Sequence, residues 1–238
     1  MPHFPFQRLQ TDLAGLIATT PPGSRLPSEP DLAKQMGVSR ATLREAMRTF
    51  ETQGLIRRRQ GSGTFVVGRM PLIESGLEVL ESLNTIARRI NLAVTMTVPL
   101  VEELSSNGEH TKLLDVPEGS GLIRVSRIMR ADSRPVAYLV DTLPADVLSP
   151  VDFVEEFDGS VLDFLLQRGD PLSLSRAEIS ATGAPAEVAK MLEVQRGDVL
   201  LQFTAKLFTA AGRVVDYSQS YFLPGYFKFH VVRRVGGA

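Results

Sequence analysis

The chain has 238 residues, enough for two ordinary domains, and its 43% hydrophobic and 22% charged content is that of a folded globular protein. It contains no cysteine, which excludes disulfides, thiolate catalysis and cysteine-ligated zinc. The net charge of −1 conceals an asymmetry: residues 1–70 hold ten basic and five acidic side chains, and the remainder holds sixteen and twenty-two. Positive charge gathered at one end fits a nucleic-acid partner there, and the acidic remainder discourages wrapping by the rest of the chain. No apolar run reaches the roughly 18 residues of a membrane span. The opening MPHFPFQRLQTD lacks a signal-peptide pattern, so a cytoplasmic protein with no membrane partner is expected.

The first predicted element is a helix from Phe4 to Thr20, with Phe6, Leu9, Leu13, Leu16 and Ile17 forming an apolar stripe. Thr19-Thr20-Pro21-Pro22-Gly23 ends it. A second helix starts at Ser28, an N-cap that Asp31 answers three residues later, with Pro30 in the first turn, where a missing N–H costs little. Leu32, Ala33 and Met36 give it an apolar side, and Gly37 stops it. Only Gly37-Val38-Ser39 precedes the next helix, about Arg40 to Gln53, a link short enough for a helix-turn-helix. In that helix Leu43, Ala46, Met47 and Phe50 make one buried stripe, while Arg40, Arg44 and Arg48 share another face. Positive side chains do not suit a helix N-terminus, so they need a partner, and phosphate or a guanine edge is the natural one. Leu55 to Arg59 then reads as a basic strand, Gln60-Gly61-Ser62-Gly63 as a turn and Thr64 to Val67 as the returning strand. A solvated arginine face is the plainer reading of the helix alone; the short turn followed by a glycine-tipped basic hairpin makes DNA the better one.

These residues resemble the winged helix-turn-helix of the GntR superfamily of bacterial transcription factors. The resemblance rests on Arg25-Leu26-Pro27-Ser28-Glu29, Val38 to Arg44, Gly54-Leu55-Ile56 and Gly61 to Val66. It implies that Arg40, Thr42 and Arg44 reach DNA from the second helix and Gly61 from the wing. The candidate DNA-binding set is Arg25, Ser28, Ser39, Arg40, Thr42, Arg44, Arg48, Gln60, Gly61, Ser62 and Gly63. Pro30 departs from the family pattern, which usually has a basic residue there, so one expected DNA contact is missing.

Gly68 and Pro71 mark a linker, and a helix is expected next, with Leu77, Leu80, Leu83, Ile86 and Ile90 near one face. It either bridges domains, joins a dimer interface or packs in a core. Beyond it the chain nearly repeats itself. Lys112-Leu113-Leu114-Asp115-Val116, Gly119 and Leu122 answer Lys190-Met191-Leu192-Glu193-Val194, Gly197 and Leu200 at a constant offset of 78. Each copy predicts a short helix, a strand, a hairpin turn (Asp132-Ser133; Ala211-Gly212) and a second strand. Two copies imply an antiparallel sheet with pseudo-two-fold symmetry and helices on it, an α+β domain. The expected division is 1–67 DNA-binding, 68–92 linker and connecting helix, and 93–238 effector-binding.

The second half resembles the UTRA effector-binding domain of the HutC subfamily. The resemblance is carried by Leu114 to Gly119, Arg127, Ala131-Asp132, Pro135-Val136-Ala137, Ser160-Val161-Leu162, Arg176-Ala177-Glu178, Leu192 to Gly197 and Gly212 to Tyr217. It implies a fold similar to chorismate lyase and a small-molecule effector that alters DNA affinity. Three polar positions of sugar-phosphate sensors are apolar here, Met129, Leu139 and Phe222, which implies a less charged, more apolar effector. Arg127 and Arg176 remain as its anion or hydrogen-bond partners. The plainer alternative pairs those arginines with acids such as Asp141 or Glu178 and leaves Met129 in the core. The candidate effector-binding set is Arg127, Met129, Leu139, Ser160, Arg176 and Phe222.

His3, His110 and His230 are scattered, and no nucleophile elbow, P-loop or dinucleotide fingerprint is present, so no catalytic or metal-binding residues and no cofactor are expected. The function expected is effector-controlled transcriptional regulation, repression first, by a homodimer on double-stranded operator DNA. The alternatives are an activator, or a metabolite-binding protein with weakened DNA reading.

Overall fold

The computed structural model describes residues 5–59, 61–67, 72–153 and 157–233. The chain divides into two compact units, Met1–Leu72 with Pro224–Tyr226, and Ile73–Leu223 with Phe227–Ala238.

The first unit packs α1 (Pro5–Thr19), α2 (Glu29–Gln35) and α3 (Arg40–Thr52) beside a hairpin of β1 (Ile56–Arg59) and β2 (Gly63–Val66). The expected stripes meet in one core, except that Phe6 at the start of α1 is exposed. Leu9, Leu13 and Ile17 of α1 join Leu32 and Ala33 of α2, Leu43, Ala46, Met47 and Phe50 of α3, and Ile56 and Val66 of the wing. Full burial of each leucine contributes about 1.5–3 kcal/mol, so this small unit is held mainly by that core. Both caps form as expected: Ser28 Oγ accepts from Asp31 N and donates to Asp31 Oδ2 at 2.5 Å, and Ser39 Oγ accepts from Thr42 N at 3.1 Å. Gly37 sits between the helices at φ +65, a conformation costly for any residue with a Cβ. The segment before α2 adds a third strand-like edge to the wing: Leu26 N donates to Thr64 O and Val66 N to Ser24 O.

In the second unit, β3 (Ile73–Gly76) pairs in parallel with β11 (Phe227–His230). Between them lie α4 (Leu83–Arg89), β4 (Val94–Met96), β5 (Leu100–Ser105), α5 (Gly108–Leu114), β6 (Gly121–Ala131) and β7 (Arg134–Pro144), then α6 (Val161–Arg168), β8 (Leu172–Gly183), α7 (Ala186–Met191), β9 (Val199–Thr209) and β10 (Val214–Phe222). Seven strands form one sheet in the order β4-β6-β7-β10-β9-β8, with β5 also pairing β6; every pairing in it is antiparallel. The internal repeat is therefore structural. β6 and β9 have identical bounds at an offset of 78, and Asp115 and Glu193 hold the same left-handed turn at φ 55 and 56.

The repeat also reaches further back than the sequence reading. The helix expected to carry Leu77 and Leu80 begins only at Leu83, and those two leucines are exposed. Its cap, Ser82, is the counterpart of Ser160 at the same offset of 78, each accepting a backbone N–H three residues on. So α4 and α6 are the paired first helices of the two copies. Ile86 and Ala87 of α4 are buried, which is the core-packing alternative for this helix. Ile123, Val125 and Leu143 of the sheet share a core with Val161 and Leu165 of α6, while Leu122 and Val214 pack with Leu114 of α5.

Candidate functional site

Two places concentrate chemistry, one in each unit. In the first, α3 presents Ser39, Arg40 and Arg44 to solvent, and the wing presents Arg57, Arg59, Gly61 and Ser62. Arg25 is exposed and lies against the wing: its bridge partner is Phe65, and its guanidinium fills the space that a side chain at Gly63 would need. Arg59 stacks on Phe65 with its guanidinium 4.9 Å from the ring centre. The arginines have protein partners as well. Arg44 Nε lies 2.6 Å from Glu29, Arg58 lies 3.1 Å from the same carboxylate, and Arg48 lies 2.9 Å from Glu45. Arg40 makes no ion pair among the described residues. Ser28 and Thr42 are half-buried, and both take part in helix caps, Thr42 Oγ1 lying 2.8 Å from Ser39 Oγ. Gln60 lies outside the described residues.

The second place is a cavity of about 800 Å³ on the α4 and α6 side of the large sheet, a volume suited to a small molecule. Its floor follows the period of two along each strand: Arg127 from β6, Leu139 and Asp141 from β7, Asp216, Ser218, Ser220 and Phe222 from β10, and Phe203 and Ala205 from β9. Ser82 and Ser160, the paired helix caps, lie on the opposite wall. One end is aromatic, where Phe203, Phe222 and Phe229 pack with ring centres 4.6–5.3 Å apart.

The other end is charged. Arg127, only 6% exposed, donates Nε–H to Gly159 O at 2.5 Å and pairs through its NH1 with Asp141. Asp216, also 6% exposed, stands beside that pair. Burial first, and then the charge and hydrogen bond of Asp141, push the Asp216 carboxyl well above the ordinary range, so the protonated acid is favoured. Its Oδ1 is buried and has no hydrogen-bond partner among the described residues.

Of the expected effector-binding residues, the cavity brings together Arg127, Leu139, Ser160 and Phe222. It does not include Met129 or Arg176. Met129 is fully buried behind the wall, where its cross-strand partner Met96 takes the place at the surface of the cavity. Arg176 is exposed and lies on the other face of β8, since Ser175 and Ala177 are the residues that face the cavity. The Arg127 to Asp141 pairing is the plainer alternative for that arginine. Sequence reasoning missed Asp216 and the serines of β10, although period-two counting from Phe222 back along one face reaches all three.

A winged helix-turn-helix, and beside it in the chain an antiparallel α+β unit built around a cavity, define the class of ligand-responsive DNA-binding regulators. The description "Bacterial regulatory proteins, gntR family" matches residues 6–66, and "UTRA domain" matches residues 90–228. The histidine utilization repressor of Pseudomonas aeruginosa is 30% identical over 206 residues, covering 86% of this chain and 80% of its own. The HTH-type transcriptional repressor NagR of Bacillus subtilis is 25% identical over 200 residues, 84% and 81% of the two chains. The fold is similar to that of PhnF from Mycobacterium smegmatis, with a TM-score of 0.65 over 96% of this chain and 100% of the other at 19% identity. The chain belongs to the gntR family of bacterial regulatory proteins and carries a UTRA domain. It is a DNA-binding transcriptional regulator controlled by a small-molecule effector, and not an enzyme.

Proposed function

We propose that this regulator is a cytoplasmic repressor that binds an inverted-repeat operator as a homodimer and leaves it when a small molecule fills the cavity of the second unit. A two-fold dimer offers two α3 helices to half-sites about one helical turn apart, and effector binding changes how well both fit at once. Residues 1–67 form the reader in this proposal, 68–92 the connector and 93–238 the sensor. Arg40, Arg44 and Ser39 of α3 meet bases and nearby phosphates; Arg25, Arg48, Gly61, Ser62 and Gly63 complete the interface from the flanks and the wing. Arg127, Leu139, Ser160 and Phe222 line the effector site.

The observation that carries the reading is the pairing, in one chain, of an exposed arginine face on α3 with a cavity of about 800 Å³ floored by buried polar groups. A relative named as a repressor supports the sign of regulation. The test is a gel shift with the DNA upstream of this chain's own coding region, together with run-off transcription from it. A specific shift with reduced transcript is expected. A specific shift with increased transcript would make the protein an activator, and no shift at any salt concentration would sink the reading.

A further inference from the structure

We propose that the ligand of this cavity is an organic ammonium ion on an apolar body, its cation held by Asp216 and Asp141 and its body by the Phe203, Phe222 and Phe229 wall. The inference rests on the cavity being the effector site, and it adds the class of ligand.

The charges decide it. A phosphate or carboxylate ligand needs a cation whose charge is not already balanced, and Arg127 is the basic residue lining the cavity among those described. That guanidinium gives Nε–H to Gly159 O and is paired through NH1 with the Asp141 carboxylate, so its charge is already balanced although NH2 keeps its donors. An anion would therefore enter beside the Asp141 carboxylate and compete with it for a single arginine. A buried charge is tolerated only when paired and hydrogen-bonded, so this arrangement is costly. The unfilled group is an acceptor instead: Asp216 Oδ1 is buried, has no donor among the described residues, and belongs to a residue of the cavity floor. An ammonium supplies three donors. With Asp216 ionised, Arg127 and the ammonium balance Asp141 and Asp216.

The opposite end supports the same class. Aromatic faces receive an apolar body well. Glu78, in the segment before α4, adds negative charge to the rim, whereas Glu81 is paired with Arg89, and β8 and β9 present no titratable side chain to the cavity among the described residues. Asp163 of α6 is tied to Ser82 and lies 3.8 Å from Arg88. Because burial and Asp141 raise the Asp216 carboxyl, ammonium binding releases its proton to solvent in the pH range where it is still held, and affinity rises with pH over that range.

The experiment is calorimetric titration of the full chain with 2-phenylethylamine and tryptamine, against 2-phenylethanol and phenylacetate. The amines are expected to bind at least tenfold more tightly than the alcohol, with phenylacetate weakest, and with enthalpies that differ between buffers as proton release requires. Asp216→Asn should cost the amines at least tenfold and 2-phenylethanol much less, and an unchanged circular dichroism spectrum and operator affinity show that the variant is folded. Equal or tighter binding of phenylacetate, amine affinity unaffected by Asp216→Asn, or no binding of either amine overturns the assignment. Operator release is read in parallel. Release by phenylacetate or inorganic phosphate would keep the effector reading and reject the ammonium. Amine binding that leaves operator affinity unchanged would keep the ammonium and reject the effector reading.

Discussion

Glu29 holds Arg44: the arginine Nε lies 2.6 Å from one carboxylate oxygen, and Arg58 of the wing lies 3.1 Å from the other. The sequence left the arginines of α3 without a protein partner, and this acid at the start of α2 supplies one. One α3 arginine placed for DNA and a half-buried arginine of the wing are thus partly neutralised in the free protein, and DNA phosphates must compete with Glu29 for them. Exposed pairs of this kind contribute about 0.2–1 kcal/mol each. Glu29→Gln should therefore tighten DNA binding roughly three- to tenfold at low salt and steepen the dependence on salt, because more counterions are displaced. Fluorescence anisotropy across a salt series measures both. Unchanged affinity and slope would mean that DNA does not engage Arg44 or Arg58.

The exposed arginines of α3 and of the wing should fail differently. Arg40→Ala or Arg44→Ala is expected to cost about 1–3 kcal/mol on the operator and much less on random DNA, as loss of a base contact does. Arg57→Ala or Arg59→Ala should weaken both DNAs alike and flatten the salt slope by about one unit, as loss of a phosphate contact does. Competition binding with operator and random duplexes separates the two. Equal losses on both duplexes for Arg40→Ala and Arg44→Ala would remove the claim that α3 reads sequence.

How much of this was legible in the chain follows from how local each signal is. The caps Ser28 and Ser39, the Gly37 turn and the Leu43 to Phe50 stripe act within a few residues, and each forms as read. The repeat was visible wherever turns fix it, at Asp115 and Glu193 or Gly119 and Gly197. It was invisible at Ser82 and Ser160, because a helix cap constrains one side chain and leaves the rest of α4 and α6 free to differ. The cavity was read in part. Strand parity alone places Arg176 opposite to Ala177, whereas the burial of Met129 depends on Met96 arriving from 33 residues away in sequence. Period-two counting from Phe222 reaches Asp216, but that its carboxyl stands beside Arg127 and Asp141 follows only from the pairing of β10 with β7 and of β7 with β6.

The paired caps are open to a direct test of the repeat. Ser82 Oγ accepts from Thr85 N at 3.0 Å and donates to Asp163 Oδ2, and Asp163 N donates to Ser160 Oγ at 3.1 Å. Loss of a serine cap costs about 0.5–2 kcal/mol. Ser82→Ala and Ser160→Ala should each lower the urea stability of the second unit by that much. The double variant should lose less than the sum, because both act on Asp163. Full additivity would show that the two caps do not communicate.

Asp216 should contribute to the second unit a stability that falls as pH rises through the acidic range, opposite in sign to the contribution of Glu78, whose carboxyl is lowered by the Val232 backbone N–H. In the unfolded chain the Asp216 carboxyl titrates near the ordinary value of 3.8, while in the folded unit burial and the Asp141 carboxylate raise it well above that. Below 3.8 the group is protonated in both states and has no effect on the balance. Above it the unfolded chain loses the proton while the folded unit keeps it, so the unfolded state is favoured progressively until the folded group also ionises. This is opposite to the usual behaviour of a carboxylate stabilised by an arginine. Asp216→Asn, which keeps the shape and removes the titration, should be relatively more stable than the parent at pH 7 than at pH 4. Urea midpoints of the second unit at several pH values between these limits measure the difference. A difference between parent and variant that stays constant with pH would show that the Asp216 carboxyl is not raised, and that its charge in the free protein is already balanced by Arg127.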